Sequence, residues 1–340
     1  MTVRFRTSNA SSKTKAMSKM SASVVPIPHY YNRKSIPLHE FIFVGCWNRV
    51  GPYRNAVAGE IMKTTVKTVI LGGDNVYQLP EDKEHPMKPH RAKVFYEGIQ
   101  LYMNKGKDII GTLGNHNIAF ALDDANAEIN MKDRQMKVLD MPNSYYFTEY
   151  DDECCIVVLD TNLEGARLDA MCRWLDTVVQ FMALRRLTYY IVQHEPFFSV
   201  KGKKKKEVIT EKYQLWDNRY PVLEILFKYL PICVLCADTH LYQQVEIRSK
   251  KTAQSLLQIV VGTGGAEHDL YILNGRQEDN SYTYDVTYPR SDREFISAYG
   301  YLHVFNKEHR RFVPVKAWEG GKRSRRQKRK SRKSRKNRVI

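Results

Sequence analysis

Five short segments of this 340-residue sequence carry side chains that commonly bind metal ions. Carboxylate, amide, imidazole, phenol and thiol groups can all donate to a metal, and glycine permits tight turns with close backbone approach. In chain order the segments are Gly45-Cys46-Trp47-Asn48, Gly73-Asp74-Asn75-Val76-Tyr77, Gly114-Asn115-His116-Asn117, Gln193-His194-Glu195-Pro196 and Ala237-Asp238-Thr239-His240. These residue types indicate metal-dependent chemistry if the five segments meet in space.

Each segment directly follows a short apolar run that predicts a buried β-strand. The predicted strands are 41–45, 68–72, 108–113, 154–160, 188–194, 232–237, 256–262, 299–305 and 311–316, with helices predicted at 56–67, 90–104, 124–139, 168–184 and 220–229. Runs that are apolar throughout are typical of strands covered on both faces. Because loops beyond the carboxyl ends of strands line the ligand crevice of open α/β sheets, we expect the segments to converge.

Residues 40–318 therefore predict a single α/β domain, and the Ser-, Lys- and Thr-rich segment 1–39 before it is expected to be flexible. The chain is 43% hydrophobic and has no run of eighteen apolar residues, so the sequence predicts no membrane span. Its first 39 residues also lack the continuous apolar stretch of a secretory signal peptide. We expect an intracellular protein of the cytoplasm, the nucleus or both.

The six cysteines agree with a reducing compartment, because most of them lie within apolar stretches rather than loops. They are Cys46, Cys154, Cys155, Cys172, Cys233 and Cys236. The spacing of Cys233 and Cys236 also occurs in zinc and redox sites. No second pair accompanies them, however, and their segment ICVLC favours a core strand.

Much of the positive charge lies at the carboxyl terminus. Residues 321–340 contain twelve Lys or Arg and no acid, out of a net charge of +17 for the chain. Such a composition cannot form a core, so 319–340 predicts a disordered polybasic tail. Since no aromatic residue interleaves it, the stretch 322–338 favours nonspecific nucleic-acid or import-receptor contact over specific single-strand recognition.

In order and spacing, the five segments resemble the motifs of the calcineurin-like metallophosphoesterases, and among these the tartrate-resistant purple acid phosphatases. That family's pattern runs GDxG, GDNxY, GNHD, a lone His and GHxH, and the most specific matches here are GDNVY, GNHN and CADTHLYQ. The similarity spans residues 40 to 265. It implies an α/β fold, a metallophosphoesterase-type β-sandwich of two mixed sheets flanked by helices in four α/β/β/α layers. It also implies two divalent or trivalent metal ions, with iron, zinc or manganese as candidates.

By position, the resemblance implies that Asp74 bridges the two metal ions. Tyr77 and His240 would bind the first ion, and Asn115 and His194 would bind the second. Two cations can acidify a water molecule and hold the phosphate oxygens during in-line displacement. These five positions retain the residue type of the family pattern.

Three further positions depart from the pattern. Cys46 replaces the family's first aspartate and Asp238 replaces the first histidine of GHxH, yet both still offer donor atoms. The extra negative charge of Asp238 should tighten cation binding and make a bound water less acidic. The resemblance gives His116 the role of steadying the transition state or protonating the leaving oxygen. Its usual aspartate partner is Asn117 here, so we expect reduced activity.

Several of these residues also have purely structural interpretations. Cys46 could be a small hydrophobic residue that ends a buried strand. Asp238 is equally acceptable as an ordinary turn residue after a strand. Tyr77 could simply pack, since the chain contains 21 tyrosines.

Two features near the motifs extend the predicted site. The lysine-rich stretch 201–206 predicts a loop, either solvated or placed at the cleft mouth where it attracts phosphorylated substrates. The glycines of 262–265 predict a turn that borders the metal cleft, and His268 beyond it is a candidate substrate contact. Asn117 is a second candidate substrate contact.

The sequence therefore supports two hypotheses. The first is a metal-dependent phosphoesterase, a phosphatase-type hydrolase that uses a dinuclear centre to hydrolyse phosphate monoesters of a phosphorylated substrate. The second is a catalytically weakened or inactive pseudo-phosphatase scaffold that binds nucleic acid or a partner through its basic tail.

Overall fold

The computed structural model describes residues 30–31, 40–77, 90–117, 125–151, 153–205, 208–270, 275–287 and 298–315. Its strands are β1 (Tyr30–Tyr31), β2 (Phe41–Val44), β3 (Thr68–Leu71), β4 (Asp108–Gly111), β5 (Tyr146–Asp151), β6 (Cys154–Val158), β7 (Thr188–Val192), β8 (Phe198–Lys205), β9 (Val208–Leu215), β10 (Cys233–Cys236), β11 (Tyr242–Ser249), β12 (Ser255–Val261), β13 (Arg276–Glu278), β14 (Tyr282–Thr287), β15 (Gly300–Val304) and β16 (Arg310–Pro314). Its α-helices are α1 (Pro52–Lys63), α2 (His90–Met103), α3 (Ala125–Val138), α4 (Gly165–Arg185) and α5 (Arg219–Leu226).

Two mixed sheets make up the body of the fold. The larger has nine strands in the order β1-β5-β6-β7-β10-β12-β11-β14-β13, and the smaller has five in the order β16-β15-β2-β3-β4. Strands β6, β7, β10 and β12 of the larger sheet and strands β2, β3 and β4 of the smaller sheet pair in parallel, whereas β11, β13, β14, β15 and β16 pair antiparallel with their neighbours. The predicted α/β fold of two mixed sheets flanked by helices is therefore confirmed.

The two sheets pack face to face and helices cover the outer faces. Alternation along β6 divides the larger sheet, because Ile156 packs in the core shared with the smaller sheet while Val157 packs in the core beneath α4 and α5. Phe41 of β2 meets Tyr190 of β7 across the sandwich, with ring centroids 5.2 Å apart. Apolar side chains of α1 and α2 join the same buried cluster as the strands of the smaller sheet, which gives the predicted four layers.

The stretch 201–206 is not the loop that the sequence predicts, because residues 201–205 extend β8. This strand pairs along eight residues with β9 and forms a separate two-stranded sheet, which we call the basic hairpin. Phe198 at its start stacks on Tyr213 and Tyr284, with ring centroids 5.8 and 5.2 Å apart. Apolar anchoring and continuous backbone pairing therefore extend the lysines as a strand.

Within the segment 1–39, which was expected to be flexible, Tyr30 and Tyr31 instead pair in parallel with β5. Tyr30 also packs against Phe147, with ring centroids 5.0 Å apart, so edge pairing and an aromatic contact fix these two residues. The rest of that segment and the predicted tail 319–340 lie outside the described residues. Among the described helices, none has the length and apolar character needed to cross a membrane.

Candidate metal centre

The predicted ligand segments lie at the carboxyl ends of strands from both sheets. Strands β2, β3 and β4 lead to Cys46, Asp74 and Asn115, and strands β7 and β10 lead to His194 and Asp238. Because the sandwich places these strand ends at one edge, side chains far apart in sequence come within a few ångströms of one another. The convergence that the sequence requires is therefore present.

Three of the predicted ligands have a left-handed backbone conformation. The φ angles are 50° at Cys46, 53° at Asp74 and 57° at Asp238. A non-glycine residue in such a sparsely populated region costs about 1–3 kcal/mol and such residues cluster at functional sites. Each follows its strand by two or three residues. Strain of this kind at three ligand positions favours a functional site over ordinary turns.

Two glycines let these turns approach one another closely. A Cβ atom on Gly73, whose φ is 89°, would lie 2.4 Å from Nδ1 of His194. A Cβ atom on Gly114 would lie 2.2 Å from the backbone nitrogen of Asp74. Only glycine is compatible with this packing, which explains why it precedes the ligands in both segments.

The first group of donors, which we call the thiol half, consists of Cys46, Tyr77 and His240 beside Asp74. Single donor atoms of Cys46, Asp74 and His240 all lie within 4.8 Å of one another. The Tyr77 hydroxyl is 3.4 Å from Nε2 of His240. Nδ1 of His240 lies 2.7 Å from the Glu267 carbonyl oxygen and donates to it, so the lone pair on Nε2 remains for a metal ion.

The second group, which we call the carboxylate half, consists of Asn115, His194 and Asp238. Nδ1 of His194 lies 2.8 Å from the Gly72 carbonyl oxygen, so its Nε2 also presents a lone pair. That Nε2 lies 3.1 Å from Oδ1 of Asp74 and 3.6 Å from Oδ1 of Asp238, but no described residue makes a well-aligned hydrogen bond to it. A buried lone pair between two carboxylate oxygens is unfavourable unless a cation lies among them.

Asn115 presents its amide in the orientation that a metal site needs. Nδ2 donates to Oδ1 of Asp238 at 3.1 Å. The opposite atom, Oδ1 of Asn115, is buried and has no hydrogen-bond partner among the described residues. An orphaned acceptor is rare in folded proteins, and here it is the atom that would bind a metal. The donors of both halves therefore converge on Asp74, and their chemistry fits a bound metal ion.

The charges of this cluster are strongly coupled. Burial alone would raise the pKa of Asp74, but the neighbouring imidazole of His194 holds it at about 2. Burial alone would lower the pKa of His194, but the charges of Asp74 and Asp238 raise it to about 10. Without a metal ion, a proton on His194 supplies the positive charge that the carboxylates require.

Unlike these charged groups, the thiol of Cys46 is protonated and neutral. Burial, reinforced by the charges of Asp74 and Asp238, raises its pKa well above the usual range. Its Sγ lies 3.8 Å from Oδ2 of Asp74, as a weak donor to the carboxylate. A metal ion must therefore displace a proton to bind here.

His116 lies at the open side of the cluster, with 38% of its side chain exposed. Its Nε2 is 3.9 Å from Oδ2 of Asp74, and its backbone nitrogen donates to Oδ1 of Asp74 at 3.3 Å. The exposure is compatible with contact to a bound substrate, and the catalytic role remains a prediction. Asn117 ends the same 3₁₀ turn, and its side chain lies outside the described part of the structure.

His268 does not join the donors. Its ring stacks on Tyr299 at a centroid distance of 3.8 Å, and burial followed by the charge of His240 lowers its pKa to about 4. It directly follows Glu267, which holds His240 in place. The residue is therefore close to the thiol half as a neutral ring, and its predicted contact with substrate stays a prediction.

A buried network beneath the site was not foreseen from the sequence. The Trp47 indole donates to Oδ1 of Asn75 at 3.0 Å, and Nδ2 of Asn75 donates to the Thr112 carbonyl oxygen at 2.9 Å. Nδ2 of Asn48 donates to the carbonyl oxygen of Asn75 at 2.6 Å. The network joins the loops after β2, β3 and β4. Trp47, Asn48 and Asn75 lie beside predicted ligands in the same short segments. That proximity is the only signal in the sequence that could have suggested a supporting role.

The basic hairpin also supplies an unforeseen residue. Nε2 of Gln214 donates to Oδ2 of Asp238. From the other strand, Nζ of Lys201 lies 3.2 Å from Oδ2 of Asp269, which accepts from the His240 backbone nitrogen at 3.0 Å. The hairpin therefore touches both halves of the site. No spacing signal in the sequence marks Gln214.

Within the part of the chain that the structure describes, the pair Cys233 and Cys236 belongs to no group of possible metal ligands. Both are fully buried in β10, as expected for a core strand. The thiol of Cys236 lies 3.5 Å from the carbonyl oxygen of Ile259. All six cysteines are free thiols, and all but Cys172 are buried.

Comparisons with known proteins leave the family unassigned. No family model matches the sequence, and no curated protein matches it. Among solved structures, the chain is similar to GAP50, described as the anchor in the inner membrane complex of Plasmodium, with 12% identity, a TM-score of 0.48 and coverage of 82% of this chain and 90% of that one.

Two further solved structures are similar to the chain. PhoD has 14% identity and a TM-score of 0.48, and the match covers 86% of this chain and 74% of that one. TT1561 of Thermus thermophilus has 8% identity and a TM-score of 0.39, and the match covers 82% of this chain and all of that one. Likenesses of this size carry no inference about metal, substrate or activity.

Proposed function

We propose that the chain is a metal-dependent phosphoesterase that hydrolyses phosphate monoesters at a dinuclear centre. The observation that carries this proposal is the buried Nε2 lone pair of His194, which faces carboxylate oxygens of Asp74 and Asp238 at 3.1 and 3.6 Å. Such a set of groups needs positive charge among them, which a metal ion would supply in place of the proton on His194. The nearby Oδ1 of Asn115, buried without a hydrogen-bond partner among the described residues, supplies a further donor.

Asp74 is the residue through which the two halves would act together. Its Oδ1 faces His194 of the carboxylate half, and its Oδ2 faces the thiol of Cys46. Two cations held in this way would acidify a water molecule and clamp phosphate oxygens. The motif resemblance of the sequence points to the same chemistry and supports iron, zinc or manganese as the metals.

His116 is the residue that we assign to the leaving group. It is half-exposed at the rim of the cluster, and its ring lies 4.9 Å from the ring of Tyr77. Imidazole can protonate a departing oxygen near neutral pH. Asn117 stands where the resemblance places a carboxylate partner for this imidazole, so we expect turnover to be slow.

The direct test is metal analysis and turnover of the purified full-length protein. It should contain about two metal equivalents and hydrolyse p-nitrophenyl phosphate, as a two-metal mechanism requires. Asp74→Ala should lose both properties. The matched control Asp176→Ala, which removes a carboxylate paired with Lys228 on the surface of α4, should keep them. Failure of zinc, iron, manganese and magnesium alike to support turnover would falsify the proposal.

One observation favours a second candidate, an inactive scaffold that binds nucleic acid or a partner through the basic tail. Without a metal ion, a proton on His194 offsets one of the two carboxylate charges, and Cys46 keeps its thiol proton. Deleting 319–340 distinguishes the candidates. The scaffold would lose its binding partner with no catalytic consequence, whereas the truncated enzyme would still turn over.

A further inference from the structure

We propose that Gln214 is a positioning residue, which holds Asp238 as a one-oxygen ligand and thereby makes the metal centre depend on the basic hairpin. The proposal deepens the proposed function and rests on it. The two oxygens of Asp238 have different surroundings. Oδ2 accepts from Nε2 of Gln214, whereas Oδ1 accepts from Asn115 and faces Nε2 of His194 at 3.6 Å.

The amide of Gln214 is itself held in one orientation. Its Oε1 accepts from Oγ1 of Thr239 at 3.4 Å. Oγ of Ser199 lies 2.6 Å from Oγ1 of Thr239, and since the Thr239 proton points to Gln214, Ser199 donates to Thr239. Ser199 and Gln214 are direct partners in the hairpin, so their side chains share one face. This chain of hydrogen bonds directs Nε2 of Gln214 at Asp238.

The hairpin is tied to the site at a second point. Lys201 forms an ion pair with Asp269, which accepts from the His240 backbone, and Gly202 N donates to the Leu270 carbonyl oxygen at 2.6 Å. The backbone of β8 is therefore fixed beside the thiol half while Gln214 reaches the carboxylate half. Residues that orient a ligand in this way set metal affinity as strongly as some ligands do.

The chemical consequence concerns which metal the site prefers. A carboxylate with both oxygens available can bind a cation through two oxygens, which suits large ions with many ligands such as Ca²⁺. Each oxygen of Asp238 accepts one hydrogen bond, but only Oδ1 also faces Nε2 of His194, so Gln214 would hold Oδ2 turned away from a metal ion bound there. Binding through one oxygen suits smaller ions with few ligands, such as Zn²⁺. Gln214 would therefore favour zinc over calcium at the carboxylate half.

The test compares Gln214→Leu with Gln180→Leu in the full chain. Gln180 makes the same kind of bond, to Oδ2 of Asp176 at 3.0 Å on exposed α4, so its loss controls for removing an amide–carboxylate contact. Zn²⁺ and Ca²⁺ affinities are measured by competition with a chromophoric chelator. The visible spectrum of the Co²⁺-loaded protein reports how the ion is coordinated. Thermal unfolding in EDTA reports the stability of the fold.

Gln214→Leu should weaken Zn²⁺ binding about 10–100-fold, as the loss of an outer-shell partner typically does, and should lower the preference for Zn²⁺ over Ca²⁺. The Co²⁺ bands should shift, and Gln180→Leu should change none of these. A merely structural role would lower the unfolding temperature in EDTA and leave the Co²⁺ bands in place. Thr239→Val should shift the same quantities less, and it carries the test if Gln214→Leu does not fold.

Failure of this proposal can be told apart from failure of the proposed function. If the wild-type chain binds metal and Gln214→Leu keeps the same ion preference and Co²⁺ spectrum, the positioning role is wrong and the phosphoesterase proposal stands. If the wild-type chain binds metal without hydrolysing p-nitrophenyl phosphate and Gln214→Leu still shifts the preference, the positioning role stands alone. A wild-type chain that binds neither Zn²⁺ nor Ca²⁺, and no iron, manganese or magnesium, overturns both proposals.

Discussion

Different interactions hold the side chains in the two halves of the candidate metal centre. In the thiol half, Cys46 and Tyr77 pack with Ala237 and Ala266 in a small apolar cluster. In the carboxylate half, hydrogen bonds rather than apolar contacts fix the side chains, as between Asn115 and Asp238. Burial in apolar surroundings favours the neutral thiol, whereas a network of oriented dipoles favours charge.

This difference affects two requirements of metal binding, the attraction of a cation and the release of a proton from the ligand. The carboxylate half holds negative charge around His194, which attracts a cation, although that cation must displace the His194 proton. The thiol half must first release the proton of Cys46, whose pKa burial raises. We therefore expect the carboxylate half to bind the tighter ion and the thiol half to limit activity.

The largest expected effect follows from removing the central imidazole of the carboxylate half. His194→Ala should lose one metal equivalent and lower phosphomonoesterase turnover about 10²–10³-fold, the range found when one preorganised electrostatic group is removed. Cys46→Ala should lower metal content and turnover less than His194→Ala does, because Tyr77 and His240 remain beside Asp74. Metal analysis after dialysis and steady-state kinetics measure both variants. A greater loss in Cys46→Ala would reverse the ranking of the two halves.

Cys46→Asp tests the proton competition at the thiol half directly. Because a thiol with a pKa above 9 must lose its proton before it binds a metal ion, it lowers the metal affinity at pH 7 at least about 100-fold. A carboxylate is already ionised at this pH and lowers it by nothing. Mn²⁺ affinity should therefore rise about 100-fold at pH 7, and the gain should shrink as pH rises. Calorimetric titration at several pH values measures it. The isosteric Cys46→Ser, which supplies no charge, should show no such gain.

Asn75→Ala should affect both halves equally, because Asn75 supports the loops from beneath without touching either. It leaves the Trp47 indole and the Thr112 carbonyl group without these partners, which typically costs about 1–3 kcal/mol of unfolding free energy. Urea denaturation in EDTA measures this, with exposed Asn104→Ala as the control. A selective loss of one metal ion would place Asn75 in that half instead.

The strands that the sequence predicts are those with apolar side chains on both faces. Strands β2, β3 and β10 are buried throughout, β7 is buried after its first residue, and all four end within two residues of their predicted limits. Strands β11 and β14 alternate between buried and half-exposed residues, so a search for continuous apolar runs misses them. Helix α1 begins earlier than predicted because Pro52 at its first turn is a start signal that apolar periodicity does not contain.

The residues of the candidate site also divide into those that the sequence predicts and those that it does not. Residues such as Asp74 and His194 are predictable because glycine turns after apolar strands mark them within short motifs. Gln214 is not, since its contact with Asp238 depends on how a lysine-rich strand folds back over the cleft. Likewise, only the three-dimensional arrangement shows that Asp238 joins His194 and that Cys46 joins His240. Sequence motifs identify donors, and tertiary packing groups them.

The most gradual effect is the contribution of His194 and Asp74 to the pH dependence of the metal-free chain's stability. The pKa of His194 is raised from 6.5 to about 10, so its contribution to stability is complete below pH 6.5 and is lost as pH rises through 10. The pKa of Asp74 is lowered from 3.8 to about 2, so its contribution is lost as pH falls through that value.

In EDTA, the urea midpoint should therefore be highest between about pH 4 and 6.5 and should decline toward pH 10. His194→Gln should remove the decline on the alkaline side, and the exposed His309→Gln should keep it. A metal ion must displace the His194 proton, so Zn²⁺ affinity should rise over the same interval in which the metal-free chain loses stability. Equal alkaline slopes in wild type and His194→Gln would mean that no proton holds the carboxylate half together, and its advantage over the thiol half would then have to come from hydrogen bonding alone.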